Sequence, residues 1–141
     1  MNAGDKAENR IKVVTVFLIY KGKILLLKRS AKVRTMNGVW AGISGYLEDV
    51  NPLVQAFKEI REECGLTEGQ VNLLKIAEPL EVRDELSSNI IWIVYPFLFE
   101  SSTKSIRLDW EHDEYDWINP INLGNYKTVP KLNEALERLL Y

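Results

Sequence analysis

The sequence predicts an α/β (α+β) fold, a mixed β-sheet lying between helices, and three observations predict it. Runs rich in Val, Ile, Leu and aromatic residues recur at 11–20, 24–28, 71–77 and 90–99, each of strand-like length and bounded by polar or turn-forming residues. Residues 52–64 show instead the four-three-four spacing of a helix with one buried face. Residues 130–139 are amphipathic in the same helical sense.

Taken in order, Met1 to Arg10 is polar and charged, lacks the apolar stretch of a signal peptide, and reads as a short flexible lead. Ile11 to Tyr20 and Ile24 to Lys28 flank the turn signal Lys21-Gly22-Lys23, so the pair reads as a β-hairpin. Residues 29–39 are loop-like, Trp40 to Gly45 reads as one short strand, and Leu47 to Asn51 as an acidic loop. Asn51 suits a helix N-cap and Pro52 the first helical position; Gly65 should stop that helix in the left-handed conformation. Val71 to Ala77 is a strand, Glu81 to Asn89 a polar connection, and Ile90 to Phe99 a strong strand that Pro96 marks as an edge or a bulge. A polar loop, a short strand from Tyr115 to Ile118 and a helix from Pro130 to Leu139 complete the chain. No repeat or low-complexity tract divides it, so its 141 residues read as a single domain, 1–141.

Composition narrows the function. Hydrophobic residues make up 46% and charged residues 27%, which suits a folded globular domain. A net charge of −2 gives no global basic field, so extended nucleic acid is not an expected partner, whereas a small polyanion could still meet a local cationic patch. Cys64 is the only cysteine and His112 the only histidine, which excludes an internal disulfide and any zinc site built from several Cys and His residues. No apolar run reaches the roughly 18 residues of a membrane span, so no membrane partner is expected and the default location is cytoplasmic.

The chemistry concentrates on the helix at 52–64. At about 100° per residue, Leu53, Phe57, Ile60 and Cys64 form one apolar stripe, while Glu59, Glu62 and Glu63 are neighbours on another face. Like charges at this spacing repel, and Glu62 and Glu63 also lie near the helix C-terminus, where the dipole disfavours anions. A divalent cation removes both conflicts, and Mg²⁺, which takes oxygen ligands and keeps several waters, suits a carboxylate cluster facing a phosphate. The plain alternative is a solvated acidic face balanced by Lys58 and Arg61.

The stretch from Gly45 to Leu66, with its second half Lys58-Glu59-Ile60-Arg61-Glu62-Glu63-Cys64-Gly65-Leu66, resembles the Nudix box, G-x5-E-x7-R-E-U-x-E-E-x-G-U with U apolar. The approach Trp40-Ala41-Gly42-Ile43-Ser44-Gly45 is similar to the family's W-x-x-P-G-G without its proline. The hairpin ending in Arg29 and the late Glu111-His112-Asp113-Glu114-Tyr115-Asp116-Trp117 resemble it too, so the likeness covers most of the chain. Two positions depart from the pattern. Lys58 stands where the family has arginine, keeping the charge without the planar fork. The loop before it is one residue short, so the first family glutamate has no single equivalent: Val50 takes its place, or Glu48 or Asp49 substitutes for it.

The resemblance implies a Nudix-type α/β/α sandwich and Mg²⁺-dependent attack of water on a diphosphate linkage in a nucleoside triphosphate or another nucleoside diphosphate derivative, with Mn²⁺ as the alternative ion and nucleotide-pool sanitising as one role. It implies Glu59 and Glu63 as direct metal ligands, Glu62 as a ligand or water-activating neighbour, and Gly45 as a carbonyl donor to the metal. Arg29 would contact phosphate, with Lys32 and Arg34 either extending that patch or simply solvated. Lys58 would orient the motif, and Glu111 or Glu114, ahead of Asp113, would supply a late base or ligand, although each also fits a solvated acidic turn. His112 reads as a loop residue, Cys64 as packing, and Trp40, Trp92 and Trp117 as core, with Trp110 the weakest core candidate. Dimers are common in the family, so monomer and homodimer stay open. The alternative function is a non-catalytic Nudix-fold nucleotide-binding or regulatory module, against which the three retained glutamates count. An isoprenoid-diphosphate isomerase relative would need its cysteine elsewhere, and removal of an RNA cap would need a basic aromatic surface that is not evident.

Overall fold

The computed structural model describes residues 8–48 and 51–141. Its central ladder joins the two ends of the hydrophobic pattern. β1 (Asn9–Tyr20) runs parallel to β7 (Ile90–Ser101), with Asn9 opposite Ile90 and Ile19 opposite Glu100. Both strands are covered on two faces, which is why Val14 to Leu18 and Pro96 to Phe99 are buried as continuous runs. β1 turns into β2 (Lys23–Arg29) through Lys21 and Gly22, both at positive φ, 49° and 81°, the combination of a tight two-residue hairpin turn. β2 pairs antiparallel with β8 (His112–Ile118) and, at its far end, with β3 (Trp40–Ala41). β4 (Ile43–Tyr46) pairs antiparallel with β1, and β5 (Val71–Ile76) and β6 (Leu80–Arg83) pair antiparallel with β7.

Two helices cover the mixed sheet, as the sequence predicts. α1 (Pro52–Cys64) packs Ala56, Ile60 and Cys64 against Val14, Val16, Leu18, Leu25 and Leu27. α2 (Leu132–Leu140) packs Leu132, Leu136 and Leu139 into the second core, with Phe17, Ile24 and Leu26. Period-two alternation along β1 and β2 thus feeds one apolar layer on each side. The ends of α1 follow from its capping residues. The Asn51 side chain accepts from Val54 N at 2.9 Å, Pro52 occupies the first turn, and Gly65 at φ 72° donates its N–H to Arg61 O.

Several expectations need correction. β1 already begins at Asn9, so the lead does not extend to residue 10; residues 1–7 lie outside the described ones. Trp40 to Gly45 is not one strand but two, because the chain leaves β2 for β1 at Gly42, where a Cβ would stand 3.0 Å from Val16 O. The polar connection at 81–89 begins inside β6, whose buried Leu80 and Val82 alternate with exposed Glu81 and Arg83; two charges in four residues hide a half-buried edge strand. Pro96 lies in an interior strand rather than at an edge. Its carbonyl accepts from Ala77 N where the neighbour of β7 changes from β5 to β6, so the missing N–H of Pro96 falls in that break. β8 starts at His112, three residues earlier than expected, and α2 starts at Leu132, after Lys131 at φ 60°.

Ile60 is fully buried at the centre of the α1 layer. Ile60→Ala should therefore lower unfolding stability by about 2–5 kcal/mol, read from denaturant unfolding followed by circular dichroism.

Candidate active site

At about 100° per residue Glu59 and Glu63 lie within 40° of each other on α1, while Glu62 stands about 100° from Glu63. The structure accordingly divides the three glutamates: Glu59 and Glu63 turn inward at 8% and 3% exposure, and Glu62 stays exposed. The inward pair continues a polar stripe from the fully buried Gln55, whose Nε2 donates to Glu59 Oε2 at 2.7 Å. The fourth-residue repeat of Gln55, Glu59 and Glu63 runs beside the apolar stripe and was the legible signal for Gln55.

What admits these carboxylates is Gly45 on β4. A Cβ there would stand 2.3 Å from Glu59 Cδ and 2.4 to 2.5 Å from its two oxygens, so the carboxyl group occupies the space a side chain would take. Ser44 N donates to Glu63 Oε1 at 3.4 Å from the same strand. Burial raises the pKa of Glu59, opposed by the Gln55 hydrogen bond. Burial raises Glu63 well above the usual carboxylate range, and the charges of Glu59, Asp109 and Glu111 add to it.

Those last two residues come from the segment before β8, together with one that the sequence reading set aside. His112 is not a loop residue. It is the first residue of β8, buried at 7% exposure, opposite Arg29 in the β2–β8 ladder. Its Nδ1 lies 2.9 Å from Asp109 Oδ1, within hydrogen-bond distance, and its Nε2 3.6 Å from Glu63 Oε1, so the imidazole stands between the two acids. Asp109 and Ser44 were likewise missed. The i, i+3 spacing of Asp109 and His112 was the only hint of their contact, and nothing local indicated that the start of β8 would reach Glu63.

The remaining candidates scatter. Glu111 enters the cluster through its charge on Glu63, whereas Glu114 pairs with Lys28 at 3.2 Å and Asp113 is exposed at the register shift of β8. Arg29 donates from Nε and Nη2 to Thr35 O at 3.2 and 3.0 Å, holding the following loop. Lys58 pairs with Glu48 at 3.1 Å, and that partner pushes its ammonium pKa up. Asp49 and Val50, the other candidates for the first family glutamate, lie outside the described residues. Lys32 and Arg34 are exposed; Cys64 is buried among apolar neighbours and its thiol pKa is pushed up by burial. Trp117 is in the core beneath α1, Trp40 and Trp92 pack partly buried against the second core beneath α2, and Trp110 is 63% exposed.

Among the described residues no group of three or more His, Cys, Asp or Glu side chains is drawn in closely enough to form a ready-made metal cage. The donor set does fit a hard, water-keeping ion: two buried carboxylates that repel each other, seated in a cradle that a Cβ would fill.

A model of the NUDIX domain matches residues 9–139. The chain belongs to the NUDIX domain family. It is 27% identical over 125 residues to nucleoside triphosphatase NudI of Klebsiella pneumoniae (strain 342), covering 81% of this chain and 85% of that one. A MutT protein from Methanosarcina mazei Go1 superposes with a TM-score of 0.76 at 25% identity, over 95% of each chain. The fold is shared also with a C. elegans Ap4A hydrolase, TM-score 0.74 at 17% identity, over 91% of this chain and 93% of that one. The chain is a Nudix hydrolase, and Nudix hydrolases generally use a divalent metal ion. No helix among the described residues is long and apolar enough to cross a membrane.

The raised carboxyl pKa of Glu63 has a consequence for the metal-free Nudix domain. A carboxyl group whose pKa rises on folding gives stability that is complete below its unfolded pKa and lost as pH climbs through the folded one. In a chelator, the melting temperature should fall as pH rises above the ordinary carboxylate range, and Glu63→Gln should flatten that fall. Equal slopes for the two proteins in thermal melts would contradict the assignment.

Proposed function

We propose that this chain hydrolyses a diphosphate linkage in a nucleoside triphosphate, or in another nucleoside diphosphate derivative, with Mg²⁺ and with Mn²⁺ as the alternative ion. The observation that carries the reading is the pair of buried, mutually repelling carboxylates Glu59 and Glu63 seated against a side-chain-free position, Gly45. The relative named as a nucleoside triphosphatase supports the substrate class, and nucleotide-pool sanitising is one role consistent with it. A cytoplasmic location accords with the composition.

Glu59 and Glu63 would hold the ion, with the Gly45 carbonyl as a neutral donor. When bound, the ion acidifies water and offsets charge on the transferring phosphoryl group. Gln55, by donating to Glu59, keeps one oxygen of that carboxylate turned toward its neighbour. His112, braced by Asp109, fixes the position of Glu63. Glu62, exposed beside the pair, is the glutamate best placed to take a proton from water. Glu111 is preferred to Glu114 as a late base, because its charge reaches Glu63 while Glu114 is engaged by Lys28. Arg29, facing His112 across the ladder, is the phosphate-contacting candidate. Lys58 holds Glu48 near the start of α1, the orienting ion pair of the motif.

Incubation with (d)NTPs, oxidised dNTPs, ADP-ribose, NADH and diadenosine polyphosphates should release pyrophosphate or phosphate from at least one substrate in Mg²⁺. Chelation and Glu63→Gln should each abolish that release. Nucleotide binding retained in both proteins without turnover of any substrate would sink the hydrolase reading in favour of a binding module. Gly45→Ala tests the cradle. Its methyl must displace the Glu59 carboxylate, so Mg²⁺ affinity by calorimetry should fall about 10- to 100-fold with the fold retained.

A further inference from the structure

A second feature stands apart from the acidic cluster, at the opposite end of β8. Tyr20, Lys21, Lys23, Lys104, Tyr115, Asp116 and Trp117 line a cavity of about 510 Å³, within the range of small-molecule sites. At roughly 3.3 Å per residue, Trp117 lies about 16 Å along the strand from His112. Ile106 and Leu108, packed into the α1 core, come between Lys104 and Asp109 in the chain and separate the two places.

The lining combines two kinds of group. Tyr20 and Trp117 form a tilted aromatic pair, centroids 5.9 Å apart, and Tyr115 beside them is 39% exposed. The indole N–H of Trp117 donates to Lys104 O at 2.9 Å, which ties the lysine-bearing loop to this wall. Lys21, Lys23 and Lys104 are exposed, and among the described residues none has a carboxylate at ion-pair distance. Asp116, the one acid in the lining, already accepts from the Tyr126 hydroxyl at 2.7 Å. Lys21 Nζ lies 5.3 Å from the centroid of the Tyr20 ring, a cation–π contact that offsets part of the repulsion, but among the described residues Lys23 and Lys104 have no such contact and no ion-pair partner. A ligand that brings both a π-face and an anion gains from this arrangement.

We propose that this pocket is a second nucleotide site, holding a nucleoside monophosphate by its base against Tyr20 and Tyr115 and by its phosphate on the lysines. The acidic cluster needs a cation before it can meet a phosphate. This pocket carries its own positive charge, so its binding needs no divalent ion. The site is independent of whether the acidic cluster hydrolyses anything.

Calorimetric titration of AMP in a chelator tests it. The wild-type protein and Glu63→Gln should bind AMP alike, and adenosine and inorganic phosphate should each bind more weakly than AMP. Lys23→Glu with Lys104→Glu should weaken AMP by about tenfold or more while Mg²⁺-dependent turnover stays unchanged. Tyr115→Ala, which removes a partly exposed ring from the lining, should weaken AMP and leave inorganic phosphate unaffected. Absence of metal-free AMP binding overturns the proposal. So does binding that survives both lysine reversal and Tyr115→Ala, or that is lost in Glu63→Gln.

Discussion

Two carboxylates one helical turn apart, pressed against a strand position that has no side chain, set the terms for the rest of this molecule. Burying a charge is unfavourable unless something compensates it, and here the compensation is distributed. Gln55 donates to Glu59, Ser44 to Glu63, and His112 lies between Glu63 and Asp109. The contacts of Ser44 and His112 with Glu63 are lost if α1 rotates, and a register shift of β4 would close the space at Gly45 that the Glu59 carboxyl group fills. The apolar stripe through Ala56, Ile60 and Cys64 supplies the free energy that holds the acids in place. The family's metal chemistry thus rests on a packing interface whose polar edge is unstable when left alone.

The sheet serves that interface through its alternation. Leu25 and Leu27 on β2 face α1 while Ile24 and Leu26 face α2, so one strand fixes the height of both helices. At the far end of the same strand, Arg29 stands opposite His112. One continuous ladder therefore positions an apolar core, a guanidinium and an imidazole. Ser30, buried immediately after it, donates its hydroxyl to Trp110 O and its N–H to Glu111 O, fixing the segment that carries Asp109 and Glu111.

Much of this arrangement was legible along the chain, because its causes are local. Asn51, Pro52 and Gly65 delimit α1, and periodicity identifies the long strands. Helical spacing brings Glu59 and Glu63 together, but it does not reveal that Glu62 faces water, which depends on where β4 lies. The role of His112 was hidden for a different reason. A histidine between acidic residues has no informative pattern, and its partner Glu63 lies 49 residues away on α1, brought near only by the packing of the helix on the sheet. β6 escaped notice because Glu81 and Arg83 look like a loop until β7 is present to bury Leu80 and Val82.

The parallel pairing of β1 with β7 joins segments about 80 residues apart in sequence. During synthesis from the N-terminus, β1 emerges with β2 and β4 long before its central neighbour exists. The apolar run Val14 to Leu18 then waits with one edge unpaired until β7 follows. Loop closure over such a distance is slow, so the interval in which this edge can meet another chain is set by topology rather than by final stability.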